Sequence, residues 1–382
     1  MMASTAEPVT IDRETLSVPV RAALGRDTAE IIDWQRTTLH GGVSPTTGGV
    51  YRVMGRADDH GETLVWSLVL KVLRAAGGDT DPTGTTYWKR EVLAYQSGVL
   101  TALAAGVIAP RCFGISEFAD ESAWLWLEEV TDTCGAPWPF SCYGTAAYHL
   151  GQFNGAYWGE HMLPAAPWLS RGWLAAWVAQ FRVEAAALAR VLEHPLVRQV
   201  CPGPLAARLL QLLADHATFL AALDRLPQTF CHHDAWSRNL FLRRDQAGHE
   251  QTVLIDWADA GSGALGQELA AFIWAPVLSV DLGVAALPAL EDLAWSRYLD
   301  GLRDVGWTGD PAAVRLGYTA DMALRGVHAA WACATVLPDV SMHLRAEVRM
   351  GRPIAELVAA LAGLLPFLLD RADEARSLLR TV

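Results

Sequence analysis

Strand-like apolar runs fill the first third of the chain, and helical spacing replaces them afterwards. Residues 29–39 (AEIIDWQRTTL), 49–57 (GVYRVMGRA) and 62–75 (ETLVWSLVLKVLRA) are rich in β-branched and aromatic residues. Such residues suit a pleated, half-buried surface. A short helix is predicted before them in ETLSVPVRAAL, after a loose polar tail over residues 1–14. GGDTDPTGTT reads as loop by composition. Residues 87–103 place Val92, Leu93, Tyr95, Val99 and Leu100 at helical spacing. PRCFGISEF and SAWLWLEEV (122–130) then predict two further strands. Residues 29–130 therefore predict an antiparallel sheet carrying one helix.

From about residue 143 onward, Ala- and Leu-rich helical patterns dominate, at 143–158, 171–192, 203–222, 285–304, 311–335 and 353–380. One window interrupts them. The short apolar runs NLFL and TVLID flank a turn-like RRDQAGHEQ, which is the pattern of a hairpin. A sheet-rich part followed by a helix-rich part predicts an α+β protein of two lobes, divided as 1–130 and 131–382. No internal repeat or low-complexity segment is present.

Composition narrows the function classes. Hydrophobic residues make up 52% and charged residues 19% of the 382 residues, which fits a globular protein with a sizeable core. The net charge of −12 and the lack of any Lys/Arg cluster argue against a nucleic-acid partner. PIAELVAALAGLLPFLLD contains a Glu and a second Pro, so it reads as a buried helix and not a membrane span. The N-terminus is polar and has no apolar signal region, so a cytoplasmic location is expected, as monomer or homodimer. Six Cys with no C-x-x-C pair suggest neither a zinc ribbon nor a redox motif, and all are expected to be reduced thiols. Among 30 Lys and Arg residues only Lys71 and Lys89 are Lys. A Lys kept against that bias suggests a task for a compact point charge and not for a planar fork.

The chemistry gathers in CHHDAWSRNLFLRRDQAGHEQTVLIDWADAG (231–261). The hairpin brings Asn239 and Asp256 to one end. A carboxamide oxygen and a carboxylate are hard ligands suited to Mg²⁺ alongside substrate phosphates. Asp234, on the loop before the first strand, is placed to accept a proton from a substrate hydroxyl or to orient it. The plainer alternative is a polar turn in which Asp and Asn cap locally.

His232-x-Asp234-x-x-x-x-Asn239, followed by Ile255-Asp256-Trp257, resembles the catalytic and metal-binding segments of the aminoglycoside phosphotransferase and choline kinase group. These are small-molecule kinases of protein-kinase-like fold. Protein kinases proper carry H-R-D, D-F-G and A-P-E, whereas this chain has His-His-Asp, Asp256-Trp257-Ala258 and no A-P-E. The resemblance implies ATP and Mg²⁺ as cofactors, a strand Lys on the α/β-phosphates and a helix Glu to hold that Lys. Lys71 and Glu91 match those two positions. It implies main-chain contacts to adenine just after SAWLWLEEV, at Glu128, Glu129 and Val130. The phosphate loop departs from the protein-kinase pattern: HGGVSPTTGGVYRV has no glycine triplet and offers Ser44, Thr46, Thr47, Gly48 and Gly49, with a plain hairpin loop as the other reading. His232 is expected to brace the loop. Glu268 in GALGQELA stands where the family carries Asp and is expected to tie that helix start to the catalytic loop.

The acceptor is expected against Asp234, among the Trp residues of the helical part. Trp236, Trp274 and Trp331 are candidates, with Trp158, Trp168, Trp173, Trp177 and Trp295 also in that part. Aromatic faces suit sugar rings and cationic amines alike, although most Trp are core residues. Asp259, Asp281, Arg325 and His328 are candidate polar contacts whose plainer reading is structural or surface. No dense acidic cluster is evident near Asp234, which counts against a polycationic substrate. The implied activity is transfer of the ATP γ-phosphate to a hydroxyl of a small molecule. That molecule is an antibiotic or other natural product, with a metabolic sugar or amino alcohol as the alternative. A kinase-like binding protein without turnover is the reading from another class.

Overall fold

The computed structural model describes residues 10–40, 46–75, 79–103, 106–158 and 163–381. The chain divides into two compact units, one of residues 1–103 and 108–131, the other of 104–107 and 132–382.

The first unit contains α1 (Arg13–Leu24), β1 (Glu30–His40), β2 (Thr47–Asp59), β3 (Glu62–Arg74) and α2 (Arg90–Gln96). A two-residue strand, β4 (Val107–Ile108), crosses the boundary, and β5 (Cys112–Glu117) and β6 (Ser122–Glu128) complete the unit. Its sheet is antiparallel in the order β1-β2-β3-β6-β5. Alternation along β3 decides what each face does. Trp66, Leu68, Leu70 and Val72 point into a core shared with Leu16 and Val20 of α1, Tyr51 and Val53 of β2 and Trp126 of β6. Lys71 falls between them and therefore lies on the opposite face. α1 starts where the Asp12 side chain accepts from the Thr15 N–H at 2.8 Å, and it ends at Gly25 with φ 64°. The helix predicted over 87–103 is much shorter. Gly98 takes φ 77° after α2, and a single 3₁₀ turn, Val99–Thr101, follows.

The second unit continues with α3 (Phe140–Ala156), β7 (Ser170–Arg171), α4 (Trp173–Phe181), α5 (Ala185–Ala189), α6 (Pro195–Val200) and α7 (Gly203–Leu223). Then come β8 (Gln228–Cys231), β9 (Leu240–Arg244), β10 (Glu250–Leu254), β11 (Gly261–Ala264), α8 (Glu268–Leu278) and α9 (Leu287–Asp304). The chain closes with α10 (Pro311–Trp331), a π-helical turn (Ala332–Val336), α11 (Val340–Met350) and α12 (Ile354–Leu378). An antiparallel N-terminal sheet and a helical C-terminal part make this the α+β, kinase-like class predicted from the sequence.

α3 and α9 approach so closely that each needs a glycine. A Cβ on Gly151 would lie 2.1 Å from the Tyr298 carbonyl oxygen, and one on Gly301 would lie 2.0 Å from that of Tyr148. Fully buried Asn154 of α3 fastens this pair to β8. Its amide donates to the Phe230 carbonyl at 2.9 Å, and its oxygen accepts from the Tyr298 hydroxyl at 2.7 Å. α12 buries one face through Val358, Leu361, Leu364, Leu365, Leu368, Leu369 and Ala372. No single helix among the described residues is long and apolar enough to cross a membrane.

Two expectations are corrected. The helix predicted over 171–192 is broken between α4 and α5, where Arg182 and Glu184 are extended. The break accompanies packing of Phe181 against His328 and Trp331, so tertiary contacts override the local pattern. The six Cys are not all thiols. Cys134 and Cys142 form a disulfide, because the loop between them folds back and holds their Cα atoms 6.4 Å apart. Cys112, Cys201, Cys231 and Cys333 are free.

Candidate active site

In the first unit, the Lys71 ammonium lies 2.5 Å from the Glu91 carboxylate. Both side chains are buried, at 6% and 1% exposure. A buried ion pair with one partner on a strand and the other on a helix fixes a single cation in place. The β2–β3 register sets Val50 opposite Lys71 and Thr47 opposite Leu73, with a bulge before Gly49. The described end of the candidate phosphate loop, Thr46 to Gly48, therefore lies at the Lys71 end of the sheet. Ser44 lies outside the described residues. Gly48 packs tightly there, since a Cβ would come within 2.9 Å of the Arg74 side chain. After β6, Glu128 donates its amide N–H to the Arg111 carbonyl at 2.8 Å, so that group is already committed. Glu129 accepts from Ser67 and pairs with Arg52, both at 2.5 Å. Val130 is half-buried just beyond. Lys89 pairs with Glu117.

In the second unit, the hairpin β9–β10 pairs Leu240 with Leu254, and Ile255 donates its N–H to the Asn239 carbonyl at 3.0 Å. Asn239 and Asp256 thus lie at one end of the hairpin. Asp256 has φ 64°, an uncommon conformation for a residue with a side chain and one that marks a functional or strained site. The Asn239 amide nitrogen donates to the Asp234 carboxylate at 2.6 Å and to its carbonyl at 3.0 Å. That assignment leaves the carboxamide oxygen as the free ligand atom. Burial pushes the Asp234 carboxyl well above the usual carboxylate range, and the neighbouring Asp259 and Asp256 push it further. Asp256 and Asp259 thus act on Asp234 electrostatically, although no group of three or more His, Cys, Asp or Glu among the described residues is set to hold a metal ion. The Asn239 carboxamide oxygen and the Asp256 carboxylate are hard donors of the kind that take a divalent cation alongside phosphates.

The loop holding Asp234 is braced from three sides. Glu268, the first residue of α8, accepts the main-chain N–H groups of His232 and His233, each at 2.7 Å. Burial pushes the Glu268 carboxyl up to about 7, against the pull of those two donors. The His232 ring donates from Nε2 to the Ile255 carbonyl at 2.9 Å and accepts the Asp234 N–H on Nδ1 at 3.3 Å. Acceptance on Nδ1 requires that nitrogen to carry no proton, so the ring is the neutral Nε2–H tautomer. Farther back, Thr133 and Asp132 bond the main chain of Leu242 on β9, and Thr252 of β10 bonds Gly106.

The Trp candidates separate. Trp236 is half-buried beneath the Arg238 guanidinium, whose fork grips Asp281 at 2.9 Å through two bonds. Trp274 and Trp331 belong to one aromatic cluster. The cluster surrounds Arg325, one of the candidate polar contacts, whose plainer reading is structural or surface. Arg325 is 3% exposed, bonded to Asp321 at 2.8 Å, and lies over Trp173, Trp177 and Trp274 at 5.5, 4.7 and 5.5 Å. Its charge acts on Asp234 and holds that carboxyl down against the burial that raises it. Trp173 in turn stacks on His233 at 5.1 Å, next to Asp234. Helical spacing links Trp173 with Trp177, but nothing in the sequence links that pair to Trp274 or Arg325.

Comparison with known proteins gives a family match and a likeness of fold. The phosphotransferase enzyme family (APH) matches residues 151–304, the stretch holding His232, Asp234, Asn239, Asp256 and Glu268. No curated protein matches the chain by sequence. Among solved structures, the amicoumacin kinase hAmiN in complex with AMP-PNP and Ca²⁺ is 12% identical, with 88% of each chain covered and a TM-score of 0.50. A microcompartment-associated aminopropanol kinase is 13% identical, with 90% of this chain and 94% of that one covered and a TM-score of 0.52. At such identities the likeness is one of fold. The matched segment and the fold around it bear out the resemblance to small-molecule phosphotransferases of the aminoglycoside phosphotransferase and choline kinase group.

Proposed function

We propose that the chain is an ATP- and Mg²⁺-dependent kinase that phosphorylates a hydroxyl of a small molecule. One observation carries the reading: the hairpin register sets Asn239 and Asp256 together, while the Asn239 amide nitrogen holds the Asp234 carboxylate. Asn239 and Asp256 would hold the ion, and when bound it supplies neutralising charge to phosphate oxygens. Lys71, oriented by Glu91, binds the α/β-phosphates, with Thr46, Thr47, Gly48 and Ser44 as the phosphate loop. Main chain at Val130 is the favoured adenine contact, because the Glu128 N–H is already bonded. Asp234 takes the proton from the acceptor hydroxyl as its oxygen bonds to the γ-phosphorus and the bond to ADP breaks. His232 and Glu268 position the loop.

The acceptor is proposed to be a natural product, as for a resistance-type enzyme. An amino alcohol is the second reading, and an aminopropanol kinase shares the fold. ADP release from ATP and Mg²⁺, measured across sugars, amino alcohols and antibiotics, tests the proposal. Asp234→Asn is expected to lower turnover by about 10² to 10⁴. Unchanged turnover in that variant would remove the base assignment. Absence of ADP release with every acceptor would favour a binding protein.

A further inference from the structure

Next to the catalytic loop stands an aromatic wall with an unusual charge arrangement. Trp177, Phe181, Trp274 and Trp331 ring His328 at 4.9–6.2 Å between centroids. Trp177, Phe181 and Trp331 are half-buried, so part of the wall is accessible. The indole N–H of Trp274, a residue 8% exposed, and Nδ1 of His328 are both buried and bonded to nothing among the described residues. Buried polar atoms in native structures nearly always have a partner. Both atoms are shut off from solvent behind the half-buried rings. His328 stays neutral at ordinary pH, because burial, Arg349 and Arg325 push it down to about 4.

Indole faces attract cations. Here the inward indoles already hold one: Arg325 lies within 5.5 Å of three of them and is itself bonded to Asp321. A second cation would meet the guanidinium on the same faces. A flat uncharged ring meets no such repulsion and can stack on the exposed parts of Trp177 and Trp331.

Resting on the kinase reading, we propose that this wall is the acceptor subsite, that it selects an uncharged ring-bearing alcohol, and that it rejects polycations. The test uses the full chain with AMP-PNP and Mg²⁺. Ring-bearing alcohols are each paired with the analogue in which one hydroxyl is a primary amine, and a polycationic aminoglycoside is included. Binding is read by calorimetry and by tryptophan fluorescence, independently of turnover. The neutral member of each binding pair is expected to bind at least about tenfold more tightly. Replacing the buried pair together, Arg325→Met with Asp321→Asn, is expected to bring the ratio to within about twofold. Trp331→Ala, at a half-buried position, is expected to weaken the neutral ligand by about fivefold or more. Equal or tighter binding of the polycation by the native chain would overturn the inference. So would failure of every neutral ring to bind while AMP-PNP and Mg²⁺ still raise the melting temperature. Loss of that nucleotide shift would instead overturn the kinase reading, and this inference with it.

Discussion

Glu268 and His328 carry opposite pH dependences that nearly cancel. Glu268 titrates at about 7 in the folded chain against an ordinary 4.5, so the unfolded chain loses that proton first as pH rises. Its contribution is present below 4.5 and is lost as pH rises toward 7, roughly 3 kcal/mol in all. His328 is lowered from 6.5 to about 4, so its contribution is present above 6.5 and lost as pH falls toward 4, again roughly 3 kcal/mol. Between pH 4.5 and 6.5 the two slopes oppose each other. Urea melts across that range should show a rising slope with pH in Glu268→Gln and a falling one in His328→Phe, each relative to the native chain. Equal slopes in all three would contradict both assignments. A second residue-scale prediction concerns Lys71: Lys71→Met removes the ammonium facing the buried Glu91 carboxylate, at a cost of about 3 kcal/mol. Lys71→Met combined with Glu91→Leu should recover most of that in the same melts. These residues differ in how legible they were. Asp234, Asn239, Asp256, Lys71 and Glu91 stand out because residue type and short spacing carry chemistry. Arg325 does not, since a chain that uses Arg nearly everywhere gives no signal at one Arg. Its aromatic partners at 173, 177 and 274 meet it only through tertiary packing, whereas Asp321 lies one turn before it on α10.

At the scale of elements, the contact of α3 with α9 has no slack. Gly301→Ala would drive a Cβ to 2.0 Å from the Tyr148 carbonyl, so the helices must part. The loss should be about 3 kcal/mol or more. Tyr298 and Asn154 should move with them, because one hydroxyl-to-amide bond joins the two helices behind β8. Thermal melts together with ADP release check this: a shift in melting temperature without any fall in activity would mean the two helices do not support the catalytic loop. The Cys134–Cys142 loop sits directly after Asp132 and Thr133, which grip β9. Replacing both Cys by Ser should cost roughly 2–3 kcal/mol by freeing an eight-residue separation in the unfolded chain. Long strands and most long helices were legible because periodicity repeats over many residues. The short strands β7, β8 and β11 were not. Their pairing is set by main-chain geometry, as at Gly261, where a Cβ would lie 2.3 Å from the Ser170 carbonyl oxygen. The disulfide was equally hidden, since the spacing of Cys134 and Cys142 matches no redox or metal motif.

At the scale of the whole molecule, the scarcity of lysine becomes a probe of how the chain opens. An amine-reactive reagent finds only Lys71, Lys89 and the chain's α-amine. Lys89 has a quarter of its side chain exposed although it is paired with Glu117. Lys71 is held at 6% exposure by Glu91, on the sheet face away from α1. Acylation removes the positive charge, so it requires both breaking the ion pair and exposing the strand. The first unit has its own core, built from α1 and the five-stranded sheet, and its opening need not follow that of the helical unit. Local opening of a structured element carries a free energy that protection directly reports. Intact mass and peptide mapping should show Lys89 modified at least about a hundredfold faster than Lys71 in native buffer, a difference of roughly 3 kcal/mol. In rising urea the two rates should converge at the transition of the sheet, whether or not the helical unit has melted. If Lys71 reacts as fast as Lys89 in native buffer, the buried pair is open in solution, and the cation proposed to hold the phosphates is not fixed in place.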